Sequence, residues 1–146
     1  MVSFISRILP LQIAHAHCDI PCGIYEPKAA QTAALTVQVM VQKIVNPPKV
    51  DEKDVNSIRN FHNTMTRYVM NKEVHAQICK EELLILWTDY FKEEHLEKFP
   101  DLHNTFWKAA KLCSQNKQHV DEKMAQELVD ATNKIADIFN KSKASK

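Results

Sequence analysis

The sequence predicts an all-α fold, an antiparallel up-down four-helix bundle, on three observations. The 146 residues include a single glycine, Gly23, whereas β-rich domains usually need several glycines for their tight turns. Hydrophobic residues make up 45% of the chain, which is enough for one domain to bury a core without disulfide bonds. Four segments carry apolar residues at helical spacing and are separated by short joints, so consecutive helices are expected to run antiparallel.

The four helices are predicted between residue 27 and the C-terminus, and together 27–146 form the bundle domain. Pro27 lies where a first-turn proline belongs, and the pair Pro47-Pro48 ends the first helix. Pro100 opens the third helix. The predicted ranges are about 29–45, 51–91, 101–113 and 121–140, with a polar connection at 114–119 and a solvated lysine-rich tail at 141–146.

Each predicted helix has an apolar stripe that is expected to face the core. In the second helix the stripe consists of Val55, Ile58, Met65, Val69, Ile78, Leu83 and Leu86. Cys79 and Cys113 fall within the second and third helices, where a cysteine usually behaves as a small buried apolar residue. Cys18 and Cys22 lie outside any periodic segment and require a different explanation.

Residues 1–16 are predicted to be a removable leader. They are apolar, carry one charge at Arg7, and end in Ala14-His15-Ala16, which resembles a peptidase cleavage site with small residues at alternate positions. A leader-processing peptidase is therefore an expected partner. Pro10 and Gln12 interrupt the apolar stretch, which makes it a poor secretion signal. The expected location is the cytoplasm, with export as the alternative.

Residues 17–26, here called the hook, hold a dense set of metal donors. Cleavage after Ala16 would give His17 a free α-amine beside its imidazole, and Cys18 and Cys22 add an amide nitrogen and two thiolates. Nitrogen donors in a square plane suit Ni(II) or Cu(II), and thiolates favour softer metals. Thiolate and deprotonated amide donors also bring the Ni(II)/Ni(III) couple within reach. Pro21 and Gly23 supply the turn that returns the second sulfur.

The hook sequence His-Cys-Asp-Ile-Pro-Cys-Gly-Ile-Tyr, residues 17–25, resembles the N-terminal nickel hook of the nickel superoxide dismutases, H-C-x-x-P-C-G-x-Y. Segments 86–92 (Leu-Trp-Thr-Asp-Tyr-Phe-Lys) and 99–103 (Phe-Pro-Asp-Leu-His) are also similar to that family. The resemblance covers most of residues 17–140. It implies disproportionation of superoxide at one nickel ion per chain, and a homohexamer of four-helix bundles.

Residue by residue, the resemblance implies nickel ligation by His17, Cys18 and Cys22. Asp19 and Tyr25 match positions that line the approach of the substrate, and Tyr90 matches a tyrosine behind the hook tyrosine. Packing the hook onto the bundle is an alternative role for Tyr25. The chain departs from the family at one pair: Ala33 and His75 stand where some members have a glutamate and an arginine that support the imidazole.

Other functions were weighed against this prediction. The net charge of +1 gives no indication of a nucleic acid or an anionic membrane as partner, and no apolar run approaches the roughly 20 residues that span a bilayer. The chain has neither the Glu-x-x-His pairs of di-iron bundles nor the H-E-x-x-H of zinc hydrolases. The alternative is a non-enzymatic helical module that carries nickel or copper, or one that uses Cys18 and Cys22 as a redox-active thiol pair.

Overall fold

Four α-helices account for most of residues 23–144, the part of the chain that the computed structural model describes. They are α1 Lys28–Val45, α2 Val55–Ile85, α3 Leu102–Gln118 and α4 Glu122–Lys143. Each of α1 and α3 packs against both α2 and α4, the ring of neighbours expected of an up-down bundle. No strand occurs in the described residues. The all-α four-helix prediction is confirmed.

Three helix boundaries have clear local causes. The Asp54 side chain accepts from the N–H of Asn56 at the start of α2, and Asp121 accepts from the N–H of Met124 at the start of α4. Such caps satisfy backbone donors that have no partner within the helix. At the start of α1, buried Pro27 precedes the first helical residue and its carbonyl accepts from the N–H of Gln31.

Two predicted boundaries were wrong. The stretch 114–119 is mostly helical, because α3 continues to Gln118 and leaves only 119–121 as the connection. The predicted solvated tail is also helical as far as Lys143, and Ser142 within it is only 4% exposed. In both places a polar residue is buried in a specific hydrogen-bonded position, which polarity alone does not reveal.

The core is built from one stripe of each helix. The predicted stripes of α1, α3 and α4 are largely confirmed, with Val37, Val41, Leu102, Phe106, Ala109, Cys113, Leu128, Ile135 and Phe139 buried. The α2 prediction was wrong at Val55, Val69 and Ile78, which are exposed. The buried residues of α2 are Lys72, Ala76, Cys79 and Leu83. A lysine at the first of these positions hides the stripe from a search for apolar residues.

Lys72 explains how α3 ends. Its side chain is 1% exposed, and its ammonium donates to the main-chain carbonyls of Asn116, Lys117 and His119, the last two at 2.9 and 3.1 Å. Carbonyls at the end of a helix lack intrahelical partners and carry partial negative charge, so a buried cation satisfies them. Burial lowers the pKa of Lys72 by desolvation, and the nearby Glu73 carboxylate opposes that shift.

At its other end, α2 passes into an aromatic cluster. The helix continues as a π-helical turn, Leu86–Tyr90, followed by a 3-10 turn, Glu93–Leu96. The Trp87 ring stacks on the Phe106 ring of α3 at a centroid distance of 5.9 Å, and the Phe91 ring contacts the Phe106 ring at 5.4 Å.

Among the described helices, none is both long enough and apolar enough to cross a bilayer.

Candidate metal centre

Four of the predicted site residues, His17, Cys18, Asp19 and Cys22, lie outside the described residues. The fifth, Tyr25, is described, together with the bundle surface to which the hook is attached. The structure therefore describes the bundle side of the site. This side consists of residues 23–27, the aromatic rings beneath Tyr25 and the charged groups around them.

The last residues of the hook, from Gly23 to Glu26, lead into α1, which begins directly after Pro27. Gly23 has φ +71°, the left-handed region that side-chain-bearing residues avoid, and it is the residue with positive φ in the described part of the chain. A Cβ at this position would meet no atom within 4 Å, so glycine is required by the backbone angle and not by lack of space. This turn directly follows Cys22, as the sequence analysis predicts.

Tyr25 lies against the aromatic cluster at the end of α2. Its half-buried ring is 5.6 Å from the ring of Tyr90, tilted by 57°. The π-helical turn brings Tyr90 to this position, where its ring also contacts Phe91 at 4.9 Å and Phe139 of α4 at 4.5 Å. Rings packed at such distances are held by more than burial alone. The predicted proximity of Tyr90 to Tyr25 is confirmed.

Two residues of the last turn of α4 hold the same region from the other side. The hydroxyls of Tyr90 and Ser142 are 2.7 Å apart. The Lys143 ammonium forms an ion pair of 3.1 Å with Glu26, lies 3.4 Å from the carbonyl oxygen of Tyr25, and is 4.4 Å from the centre of the Phe139 ring. The last residues of the hook are thus bonded to the opposite end of the sequence.

A surface cavity of about 250 Å³ opens beside Tyr25. Its lining includes Gly23, Tyr25, Asp89, Tyr90, Lys92, Glu94 and His95. The N–H of Lys92 donates to Nδ1 of His95 at 2.9 Å, and the His95 ring lies 5.8 Å from that of Tyr90 at an angle of 23°. A neutral His95 therefore carries its hydrogen on Nε2. The cavity combines phenol, imidazole, ammonium and carboxylate groups next to the hook.

The bundle interior offers no competing metal site within the described residues, since no group of three or more histidine, cysteine, aspartate or glutamate side chains is placed to hold an ion. Cys79 and Cys113 are buried free thiols, as predicted. The pKa of the Cys79 thiol is raised, chiefly by its hydrogen bond with Cys113 and secondly by burial. A raised pKa disfavours the thiolate, which is the form that ligates metals.

Sequence reasoning missed four residues of this region: His95, Ser142, Lys143 and Glu26. None belongs to a recognisable motif. The Lys143–Glu26 pair spans a sequence separation of 117 residues, so no local pattern reveals it. The sequence offered a signal only for His95. This histidine lies five residues after Tyr90, in the short segment between two predicted helices.

Comparisons with known proteins show similarity to one family. Residues 12–143 match the sequence model of the family described as nickel-containing superoxide dismutase. Two curated relatives carry the name superoxide dismutase [Ni]. The one from Streptomyces coelicolor is 33% identical over 140 residues, 95% of this chain and 98% of the relative. The one from Streptomyces seoulensis is 34% identical over 128 residues, 88% of each.

Solved structures of the same kind resemble the fold. A native nickel superoxide dismutase structure at 1.30 Å matches with a TM-score of 0.73 and 32% identity, over 88% of this chain and 99% of that chain. A structure of the nickel-containing enzyme with its ligation in the oxidised state matches to the same degree. The similarity therefore includes both the bundle and the sequence.

Proposed function

Since the chain belongs to the nickel-containing superoxide dismutase family, we propose that His17, Cys18 and Cys22 hold the nickel ion on which its reaction depends. The reaction is the disproportionation of two superoxide anions and two protons to oxygen and hydrogen peroxide, with one nickel ion per chain. The observation that best supports this proposal is the position of Tyr25, three residues after the last predicted ligand. Its ring packs on Tyr90 beside a cavity lined by groups of both charges.

The donor set fits nickel. His17 offers an amine and an imidazole, Cys18 an amide nitrogen and a thiolate, and Cys22 a second thiolate, the nitrogen and sulfur types that suit a square plane. When bound, nickel supplies the Ni(II)/Ni(III) couple that accepts an electron from one superoxide and returns it to another. Gly23, with φ +71°, gives the backbone a left-handed turn directly after the last of these proposed ligands.

The remaining residues are proposed to bind and orient a small anion. Tyr25 supplies a hydroxyl at the cavity, and Asp19 is placed by its motif on the same approach. Lys92 is proposed to offer the anion a local positive charge in a lining that also holds the carboxylates of Asp89 and Glu94. Each reaction consumes protons, so hydroxyl and imidazole groups beside the anion are suited to order the water that supplies them. Ala33 is buried and offers no charge to support the His17 imidazole, which leaves that role to His75 or to none.

Residues 1–16 are proposed to be a leader that a peptidase removes to expose the His17 amine. The coverage of the relatives supports this. The Streptomyces coelicolor sequence aligns with 95% of this chain, but the native solved structure is spanned almost completely by only 88% of it. The difference is consistent with a solved chain that lacks most of the leader. The cytoplasm is the proposed location, with export as the alternative.

A homohexamer is proposed as the assembly. Exposed apolar side chains recur at helical spacing on one side of α2, namely Met70, Val74 and Ile78, and such a stripe is typical of a surface that another chain covers. Sedimentation of the processed protein tests this proposal: one species near six times the chain mass is expected, and a monomer at micromolar concentration would contradict it.

The decisive test of the site compares three forms of the chain at equal total nickel: uncleaved protein, protein that begins at His17, and protein with one extra alanine before His17. In the first and third forms the ligating nitrogen is an amide, which lacks the basicity of an amine. We expect all three to be helical, but only the second to bind nickel tightly and to remove superoxide rapidly in stopped flow. Equal activity in the three forms would exclude the amine as a ligand.

A further inference from the structure

The last turn of α4 contacts both tyrosines of the site. Ser142 is bonded to Tyr90, and Lys143 is bonded to the main chain of Tyr25 and to Glu26. Neither contact is needed to end α4, whose last turn is closed by the N–H of Ala144 donating to the carbonyl of Asn140. Both side chains therefore reach the site from α4, although the Ser142 hydroxyl also bonds its own helix.

The direction of the Ser142 hydrogen bonds follows from counting hydrogens. The Ser142 hydroxyl lies 2.7 Å from the carbonyl oxygen of Phe139, which can only accept. A serine hydroxyl has one hydrogen, so Ser142 must accept in its other contact and Tyr90 must donate. Ser142 is 4% exposed, which shields this contact from bulk water. The Tyr90 hydrogen is thus committed to α4, and Tyr90 retains only acceptor capacity toward the hook.

Lys143 acts on the main chain. Its ammonium joins Glu26 and the carbonyl of Tyr25 and lies over the Phe139 ring, while the Lys143 and Glu26 side chains are 46% and 66% exposed. An ion pair this exposed contributes little to stability, because solvent screens the two charges. Its removal should therefore leave the bundle folded. The pair instead fixes the position of Tyr25 and Glu26, the last two residues of the hook.

We infer that Ser142 and Lys143 are positioning residues for the dismutation reaction: Ser142 holds Tyr90 as a hydrogen-bond acceptor behind Tyr25, and Lys143 holds the backbone from which Tyr25 projects. The inference rests on the proposed role of Tyr25 in the site. It assigns to the C-terminal turn of the bundle the task of orienting a segment more than 100 residues away in sequence.

The structural half of the inference is tested in nickel-free protein, so that it does not depend on the activity. The chain has three tyrosines, Tyr25, Tyr68 and Tyr90, which gives three resolvable signals when the ring carbon bonded to oxygen is labelled for NMR. In Ser142→Ala the signals of Tyr25 and Tyr90 should both move, while that of Tyr68 stays in place. Ser142→Thr, which keeps a hydroxyl, should restore the wild-type spectrum.

The functional half is tested in nickel-loaded protein. Ser142→Ala should lower the rate of superoxide decay about threefold to tenfold, the size of one net hydrogen bond, with full nickel content. Ser114→Ala also removes a serine hydroxyl that bonds a carbonyl of its own helix, but on α3 beside Lys80, and it should have no effect on the rate. Lys143→Met should lower the rate about twofold to fivefold, and Lys143→Arg less. Lys123→Met, which breaks the Lys123–Glu127 pair near the start of α4, should have no effect.

A double-mutant cycle decides whether Ser142 acts through Tyr90. In a Tyr90→Phe background the ring contacts remain but the donor is gone, so Ser142→Ala should cause no further loss of rate. Unchanged signals and rate in Ser142→Ala, or full additivity in the cycle, would overturn the inference even if the wild type is active. If Ser142→Ala fails to fold, Ser142→Thr and Tyr90→Phe still test it, and a wild-type rate in Tyr90→Phe overturns it. A wild type without nickel or activity would refute the proposed function separately.

Discussion

The C-terminal ends of α3 and α2, which lie at opposite ends of the contact between these helices, are completed in different ways. At one end, α3 terminates on a buried ammonium, since Lys72 donates to three carbonyls of its last turn. At the other end, α2 is not capped by a charge but continues as a π-helical turn that places Trp87 and Tyr90 in an aromatic cluster. The first solution satisfies the backbone within the core, and the second presents side chains to a surface cavity.

This difference separates stability from function along the bundle. At the end closed by Lys72, the Lys72 and Asn116 side chains are buried, and both are far in sequence from any predicted ligand. The aromatic end carries half-buried rings, a cavity and the attachment point of the hook. Changes at the lysine end should therefore alter the unfolding free energy without altering nickel binding, and changes in the hook should do the reverse.

The largest expected effect is in the hook. Cys18→Ser and Cys22→Ser should each abolish nickel binding and reduce activity to the level of the nickel-free protein, because a hydroxyl is a far weaker donor than a thiolate to a soft metal. Helicity should be unchanged. Circular dichroism, metal analysis and stopped-flow decay of superoxide measure these outcomes.

The control for the hook cysteines is a cysteine in the bundle. Cys79→Ser places a hydroxyl at a fully buried position, which should lower stability but leave nickel at one ion per chain. Full nickel content and activity in either hook variant would contradict the proposed ligands. Loss of nickel in Cys79→Ser would contradict the expectation that changes in the bundle core leave nickel binding unaltered.

The next largest effect concerns the buried lysine. Lys72→Met keeps a long unbranched side chain but leaves three carbonyls without their donor, so the free energy of unfolding should fall by about 2–3 kcal/mol. Urea denaturation measures this change, and nickel content at one ion per chain is the second readout. Reduced nickel affinity in this variant would show that the two ends are coupled.

Lys80→Met is the matched control on the same helix. Lys80 donates to the Ser114 hydroxyl at 3.1 Å in a partly exposed position, so its loss should cost less than about 1 kcal/mol. If both lysine variants lost the same stability, the special role of Lys72 at the end of α3 would be refuted.

Sequence patterns predicted the two regions unequally. The stripes of α1, α3 and α4 follow from apolar spacing, but the stripe of α2 begins at Lys72, and a search for apolar residues shifts it to the exposed Val69. The π-helical turn has no signature that spacing can detect. In the hook, nine consecutive residues carry a motif, and the ligands predicted from it stay a prediction. Its bundle support, from Ser142 and Lys143, depends on contacts across more than 50 and 100 residues, respectively.

A smaller effect is expected where the hook meets the bundle. Gly23→Ala places a side chain on a residue with φ +71°, which costs about 1–2 kcal/mol although space is available. The strain falls on the turn after Cys22, so nickel affinity should weaken about fivefold to thirtyfold while the thermal midpoint of the bundle stays within error. Metal competition titration measures the affinity. An unchanged affinity would show that the hook binds nickel with a different backbone at this residue.

The smallest expected effect tests Tyr25 itself. Tyr25→Phe keeps the ring that packs 5.6 Å from Tyr90 and removes only the hydroxyl at the cavity, so nickel content should be unchanged. If the hydroxyl orients the anion or its water, the superoxide decay rate should fall severalfold, with a larger relative loss at low superoxide concentration. Tyr68→Phe is the control, because Tyr68 lies on α2 beside Lys43, 5.4 Å from that ammonium, and contacts no residue of the site. Loss of nickel in Tyr25→Phe would mean that the hydroxyl holds the hook in place, and the role of Tyr25 would then belong to attachment and not to substrate handling.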